Sequence, residues 1–251
     1  MKQNKNNQTK FGPMMIIGAL FFLFGFVTWL NATLIPYLKI SCELNDFEAY
    51  LVTTAFYISY FFMAIPSSTI LEKIGFKKGM SLGLIIMAIG SLFFVPAALT
   101  RMYGLFLFGL FVQGLGLAVL QTASNPYITV LGPIESAARR ISFMGIANKI
   151  AGILSPILLG MVVLAGTDEL TVNLELMNAA DKAIELDLLA KKVILPYILM
   201  AVVLFILAFG IRFSNLPEIE EQDDEEKHGN WFSRLIAVLK VPYLALGFLA
   251  I

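Results

Sequence analysis

Six long apolar stretches, separated by short polar segments, restrict the fold of this 251-residue chain more than any other feature. A helix rises about 1.5 Å per residue, so about 20 apolar residues cross the roughly 30 Å hydrocarbon core of a bilayer. None of the 18 acidic residues lies deep inside a stretch, and among the 18 basic residues only Lys149 does. The sequence therefore predicts an all-α membrane protein with six transmembrane helices. The predicted spans are residues 13–37, 47–71, 79–99, 102–130, 141–165 and 193–213.

The charge balance and the rare residue types exclude several classes of function. A formal net charge of zero gives no basis for nucleic-acid binding. Cys42 and His228 are the single cysteine and histidine, so an intrachain disulfide, a cysteine zinc site and a histidine relay are all excluded. A membrane enzyme would need a catalytic dyad or a metal cluster, and a channel would need a polar ring or a re-entrant filter. The sequence contains no segment that fits either requirement. We therefore expect no enzymatic activity, no metal and no cofactor.

The basic residues predict the orientation of the chain. With the N-terminus in the cytoplasm, twelve Lys and Arg residues fall on the inner side and five on the outer side, as the positive-inside rule requires. We predict a multi-pass protein of the bacterial inner membrane. Its predicted parts are a cytoplasmic tail (1–12), a six-helix domain (13–213), an acidic cytoplasmic linker (214–240) and the truncated start of a seventh helix (241–251).

Two connecting segments leave alternatives open. The outer loop at 167–192 carries mixed charge, and it is either a helix lying on the membrane surface or a solvated spacer. The last eleven residues are apolar but too short to span a bilayer. We expect that the chain is a fragment cut inside a seventh helix, although this tail resting at the interface is the other interpretation.

A charged turn connects the second and third spans. Residues 68–78 read Ser-Thr-Ile-Leu-Glu-Lys-Ile-Gly-Phe-Lys-Lys and resemble the major facilitator signature Gly-x-x-x-Asp-Arg-x-Gly-Arg-Arg. Ser68 replaces the first glycine, Glu72 the aspartate and Lys73 the arginine, while Gly75 keeps the tight turn. Ion pairs from this turn are predicted to latch the cytoplasmic face. The predicted latch residues are Glu72, Lys73, Gly75, Lys77, Arg139 and Arg140.

The fourth span narrows the resemblance. Residues 120–133 read Leu-Gln-Thr-Ala-Ser-Asn-Pro-Tyr-Ile-Thr-Val-Leu-Gly-Pro, which is similar to the fucose, galactose and glucose permease family of that superfamily. Residues 56–61 in the second span and 30–36 in the first also match. The resemblance implies the N-terminal six-helix half of a twelve-helix secondary transporter, with a C-terminal half as its partner. It implies alternating access with a small sugar as the substrate.

Polar side chains inside the spans are the predicted sugar contacts. Gln121 and Asn125 lie four residues apart, hence on one helix face, and each amide offers the donors and acceptors that paired sugar hydroxyls need. Trp29 offers a flat face for the C–H side of a sugar ring. The alternative is that these amides only hold helices together. The predicted binding set is Thr28, Trp29, Asn31, Gln121, Asn125, Asn148 and Lys149.

Lys149 lies nine residues beyond Arg140, or about 13 Å along a helix, close to the bilayer midplane. A lysine at that depth costs roughly 2.5–3.5 kcal/mol, so it is expected to face the bundle interior or water. Substrate binding or charge movement is the functional interpretation. A structural ion pair with the other half, or a side chain that reaches for the interface, is the alternative.

The chain departs from the fucose-type members at two positions. Where the resemblance offers acidic residues as proton carriers, this chain has Ala32 and Gln121. The proton-coupled mechanism is therefore not carried over, and coupling to sodium, to protons or to neither stays open. The sequence predicts secondary active transport of a monosaccharide, either glucose, galactose or a fucose-like hexose. A membrane sensor that binds sugar without moving it is the alternative.

Overall fold

The computed structural model describes residues 11–174, 176–214 and 216. The described part is helical, and its helices follow the apolar stretches of the sequence. Charged and turn-forming residues, such as the Asn45 cap of the second helix, mark where helices begin and end. The helices are α1 (Phe11–Ser41), α2 (Asp46–Ile74), α3 (Phe76–Leu92), α4 (Phe94–Thr100), α5 (Tyr103–Val130), α6 (Ala137–Val163), α7 (Thr167–Leu174), α8 (Ala179–Lys191) and α9 (Ile194–Phe213).

Five helical segments are long and apolar enough to cross a membrane. If the bent helix α2 is counted as one span, the described residues contain six. The two parts of α2 meet at 57°, next to Pro66. A proline inside a helix removes a backbone hydrogen bond and commonly kinks the helix. The third span is formed by α3 and α4 together, over Phe76–Thr100. The prediction of an all-α multi-pass membrane protein is confirmed.

Large apolar side chains cover the outside of the bundle. Phe61 is 80 % exposed and Met161 is 68 % exposed, whereas Gln113 and Ser124 are buried. A water-soluble protein rarely exposes so much contiguous apolar surface. The distribution fits a bundle whose outer surface contacts lipid and whose polar groups turn inward.

Glycines let the spans pack in close pairs, α1 against α6 and α3 against α5. A Cβ atom added to Gly25 of α1 would lie 2.0 Å from the carbonyl oxygen of Asn148 on α6. A Cβ atom at Gly83 of α3 would lie 2.7 Å from the carbonyl oxygen of Gly116 on α5. Small residues at membrane helix crossings allow such approach of the backbones. The helix α2 packs against α5, and α9 packs against α3.

The segment after α6 forms two short helices, α7 and α8, instead of an extended spacer. An ion cluster joins α8 to the neighbouring loops: Lys182 lies 2.7 Å from the Glu43 carboxylate, and Arg101 lies 3.3 Å from Asp187. The hydrogen bond from the Lys182 ammonium lowers the pKa of the Glu43 carboxyl. The Tyr37 hydroxyl also donates to the carbonyl oxygen of Ala190 at 2.7 Å. These contacts fix the α8 helix to the ends of α1 and α4.

The tail, linker and seventh-helix predictions fall almost wholly outside the described residues. Only the start of α1 and residues 214 and 216 touch those regions. The helices from α1 to α9 extend from residue 11 to residue 213, and the bounds of the six-helix domain stay a prediction.

Candidate functional site

A cavity of about 440 Å³ lies where α1, α2, α5 and α6 meet. Its lining combines amides, hydroxyls, one ammonium group and two aromatic rings. Six of the seven predicted binding residues line it together, although they come from three helices. The lining residues are Thr28, Trp29, Asn31, Ala32, Ile35, Thr53, Tyr57, Gln121, Asn148 and Lys149.

The close contact of α1 with α6 places the aromatic wall of the cavity. A Cβ atom at Gly152 would lie 2.7 Å from Cδ1 and 2.8 Å from Nε1 of the Trp29 indole. The Cδ1–Nε1 edge of the indole therefore lies against the glycine, and no larger residue fits there without displacing it. Trp29 remains 44 % exposed, so one part of its ring is available to the cavity.

Lys149 lies on the same wall. Its Nζ atom lies 5.6 Å from the centroid of the Trp29 ring, within the range of a cation–π contact. Its neighbour Asn148 donates a hydrogen bond of 3.1 Å to the carbonyl oxygen of Phe21 on α1. Asn148 therefore joins α1 to α6 and lines the cavity as well, and its contact with a sugar stays a prediction.

Asn31 and Gln121 supply the other amides. Asn31 is only 5 % exposed, and its Nδ2 atom has no hydrogen-bond partner among the described residues. A buried amide without a partner is costly in a folded protein, so it marks a place where a further polar group belongs. Gln121 is half-buried and lines the same cavity. The cavity can therefore offer several hydrogen-bond donors and acceptors beside a flat aromatic surface.

Asn125 is the predicted binding residue that does not line the cavity. It is exposed on α5, one turn beyond Gln121. Thr53 and Tyr57 line the cavity instead, although they are not among the predicted binding residues. Their spacing of four residues on α2 was the available signal, since it places both on one helix face. Ala32, where the resemblance to fucose-type members implies an acid, also lines the cavity.

In the charged turn after the second span, Gly75 connects α2 and α3 with φ +82°, a conformation that favours glycine. Lys77 donates to the carbonyl oxygen of Ser214, at the C-terminal end of α9. A cation is favourable at the C-terminus of a helix, so this contact joins the turn to α9. Glu72 and Lys73 are exposed.

The two arginines of the predicted latch have different environments. Arg139 is exposed and lies 5.6 Å from the centroid of the Phe143 ring. Arg140 is 3 % exposed, and its guanidinium donates to the chain around the end of α5. The structure thus places Arg140 within its own bundle as a helix cap. Its acceptors are the carbonyl oxygens of Ile128, Thr129, Gly132 and Pro133 and the hydroxyl of Ser136.

A larger groove of about 1080 Å³ lies between α1, α6 and α9. Methionine, aliphatic and aromatic side chains form most of its wall, including Met14, Phe22 and Met200. A polar ligand would find few hydrogen-bonding partners there. The smaller polar cavity is therefore the better candidate for the functional site.

Comparison with known proteins identifies the family of this chain. Residues 17–251 match the Major Facilitator Superfamily. A glucose/galactose transporter of Brucella abortus biovar 1 (strain 9-941) is 35 % identical over 214 residues, which are 84 % of this chain and 48 % of the relative. The L-fucose-proton symporter of Escherichia coli (strain K12) is 29 % identical over 240 residues, or 95 % of this chain and 55 % of the relative.

The fold agrees with a solved structure of that symporter. The crystal structure of the E. coli fucose:proton symporter superposes with a TM-score of 0.76 at 28 % identity, covering 93 % of this chain and 57 % of that chain. A structure of FucP in the outward conformation gives the same TM-score of 0.76 at 29 % identity. The chain therefore spans about half the length of the curated relatives it matches.

Proposed function

The chain belongs to the Major Facilitator Superfamily, and on that premise we propose that it forms the N-terminal half of a monosaccharide transporter. The C-terminal half and the sugar are its partners. The full-length protein lies in the bacterial inner membrane with its N-terminus in the cytoplasm. Secondary active transport by alternating access is the mechanism, with the substrate held near the midplane between the halves.

The observation that carries this proposal is the shared cavity of Thr28, Trp29, Asn31, Gln121 and Lys149. Amide groups act as donor and acceptor at once, as the adjacent hydroxyls of a hexose require. The Trp29 ring supplies an apolar surface for the C–H face of the sugar. Names of relatives, which specify glucose, galactose or L-fucose, support a hexose as the substrate.

The coupling of sugar transport to an ion does not follow from the sugar contacts alone. The cavity lining within the described residues contains no carboxylate, and Ala32 and Gln121 stand where an acid would carry a proton. We propose that this half contributes sugar contacts and that any coupling to sodium or protons involves the other half or Lys149. Uptake measured with sodium omitted, and across a pH step, separates these cases.

Counterflow of labelled galactose and glucose in proteoliposomes tests the function, using the full-length protein. Replacement Gln121→Ala is expected to lower the rate about tenfold or more, since one lost hydrogen bond in a binding site is worth about 1.4 kcal/mol. Asn125→Ala is the matched control, because Asn125 lies one turn away on the same helix and outside the cavity lining. Equal rates for wild type and Gln121→Ala would remove Gln121 from the site, and absence of counterflow would contradict transport.

A further inference from the structure

Lys149 introduces a charge that the cavity does not balance. Its ammonium group lies over the Trp29 ring at 5.6 Å from the centroid, and both side chains line the cavity. A tryptophan face attracts a cation, but it carries no net charge and compensates only part of the hydration that a lysine loses in a membrane. Lys149 forms no ion pair with any residue that the structure describes.

The acidic residues that the structure describes in this half do not pair with the lysine. Those that the structure describes lie at helix ends and in connections, such as Glu43, Glu72 and Glu135. None belongs to the cavity lining. A lysine at this depth is ordinarily paired or faces water. Lys149 is exposed and lines the cavity, so its ammonium group is accessible to a counter-charge from outside this half.

The neighbouring hydrogen-bond donors indicate which chemical group can supply that counter-charge. Asn31 Nδ2 is buried and has no hydrogen-bond partner within the described part of the chain. The amide of Gln121 and the hydroxyl of Tyr57 line the same space. One ammonium and several neutral donors match the single charge and two oxygens of a carboxylate. A phosphate, which carries up to two charges, would call for a second cation, and the described lining offers only Lys149.

We propose that the cavity is a carboxylate-binding site in which Lys149 pairs with the anion and Asn31 and Gln121 donate to its oxygens. This inference rests on the proposed transport function and specifies its chemistry. The carboxylate has two sources: the substrate, as a hexuronate, or an acidic side chain of the other half of the full-length protein.

The first measurement needs no variant. In proteoliposomes with the full-length protein, galacturonate and its uncharged methyl ester compete with the uptake of labelled galactose. If the substrate supplies the carboxylate, galacturonate competes at least tenfold better than the ester. Lys149→Gln then reduces this ratio to about one, and Lys149→Arg retains it because the positive charge remains.

If the other half supplies the carboxylate, galacturonate and its ester compete equally, and Lys149→Gln lowers galactose uptake at least tenfold. Suppressors of Lys149→Gln are then expected to replace an Asp or Glu of the other half by a neutral residue. The inference is overturned if the wild-type protein shows no preference for galacturonate over its ester and Lys149→Gln takes up galactose at the wild-type rate. It is also overturned if a preference of the wild type persists in Lys149→Gln, or if, without such a preference, the suppressors lie outside the acidic residues of the other half. A wild-type protein that carries no sugar would instead contradict the proposed function itself.

Discussion

At the scale of single residues, the site depends on how Trp29 is held. The indole lies against Gly152 on one side and faces Lys149 at 5.6 Å. Its ring is rigid, so it cannot yield to a neighbouring methyl group as the end of a lysine or methionine could. We therefore expect Gly152 to act as a positioning residue, which keeps the aromatic surface of Trp29 in the cavity.

Gly152→Ala is predicted to displace Trp29, because its Cβ atom would lie 2.7 Å from the indole ring. Galactose uptake is expected to fall several-fold. The fluorescence spectrum of Trp29 is expected to shift in a background in which Trp231 and any tryptophan of the other half are replaced by Phe. Gly145→Ala on the same helix is the control, since nothing lies within 4 Å of its added Cβ atom. An unchanged spectrum in Gly152→Ala would show that the ring is not held by this glycine.

At the scale of elements, the C-terminal end of α5 is fixed by Arg140. This buried guanidinium donates five hydrogen bonds to the turn between α5 and α6, with the Nε atom 2.8 Å from the carbonyl oxygen of Ile128. A planar group with five donors is well suited to several carbonyl oxygens that a helix end leaves unpaired. The cap thereby fixes the helix that carries Gln121.

Arg140→Gln is predicted to destabilise the protein by about 2–4 kcal/mol, because buried carbonyl oxygens lose their donors. The measurement is the midpoint of thermal unfolding in detergent. Arg140→Lys is expected to recover only part of the loss, since an ammonium group lacks the planar fork. Arg139→Gln is the control, as Arg139 is exposed. Equal midpoints for the two glutamine variants would refute the capping role.

At the scale of the whole molecule, hydropathy was sufficient for the number and order of the spans. It could not place the bend at Pro66 or the division of the third span at Phe93, because both depend on local packing. The cost of polar groups in lipid predicted that Gln121 and Lys149 face the bundle interior or water, and both line the cavity. The sequence could not show that Asn125 lies outside the cavity or that Thr53 and Tyr57 line it, because those outcomes depend on the crossing of α1, α2, α5 and α6.

The environments of Arg139 and Arg140 also could not be predicted from the sequence. A pair of basic residues after the fourth span is a strong topology signal. Which of the two becomes buried depends on the C-terminal carbonyls of α5, and these are positioned only in three dimensions. The sequence could therefore indicate an inner-face role for Arg139 and Arg140, but not their separate environments.

The most direct test of the central claim is whether sugar enters the cavity from water. Cys42 is the only cysteine of this chain, so a cysteine-free background needs the replacement Cys42→Ser here. In the full-length protein, Thr53→Cys is predicted to react with a water-soluble thiol reagent, and saturating galactose is predicted to slow the reaction several-fold. Thr54→Cys, its exposed neighbour outside the lining, is predicted to show no protection. An unreactive Thr53→Cys, or one that no transported sugar protects, would contradict a sugar-binding cavity at this position.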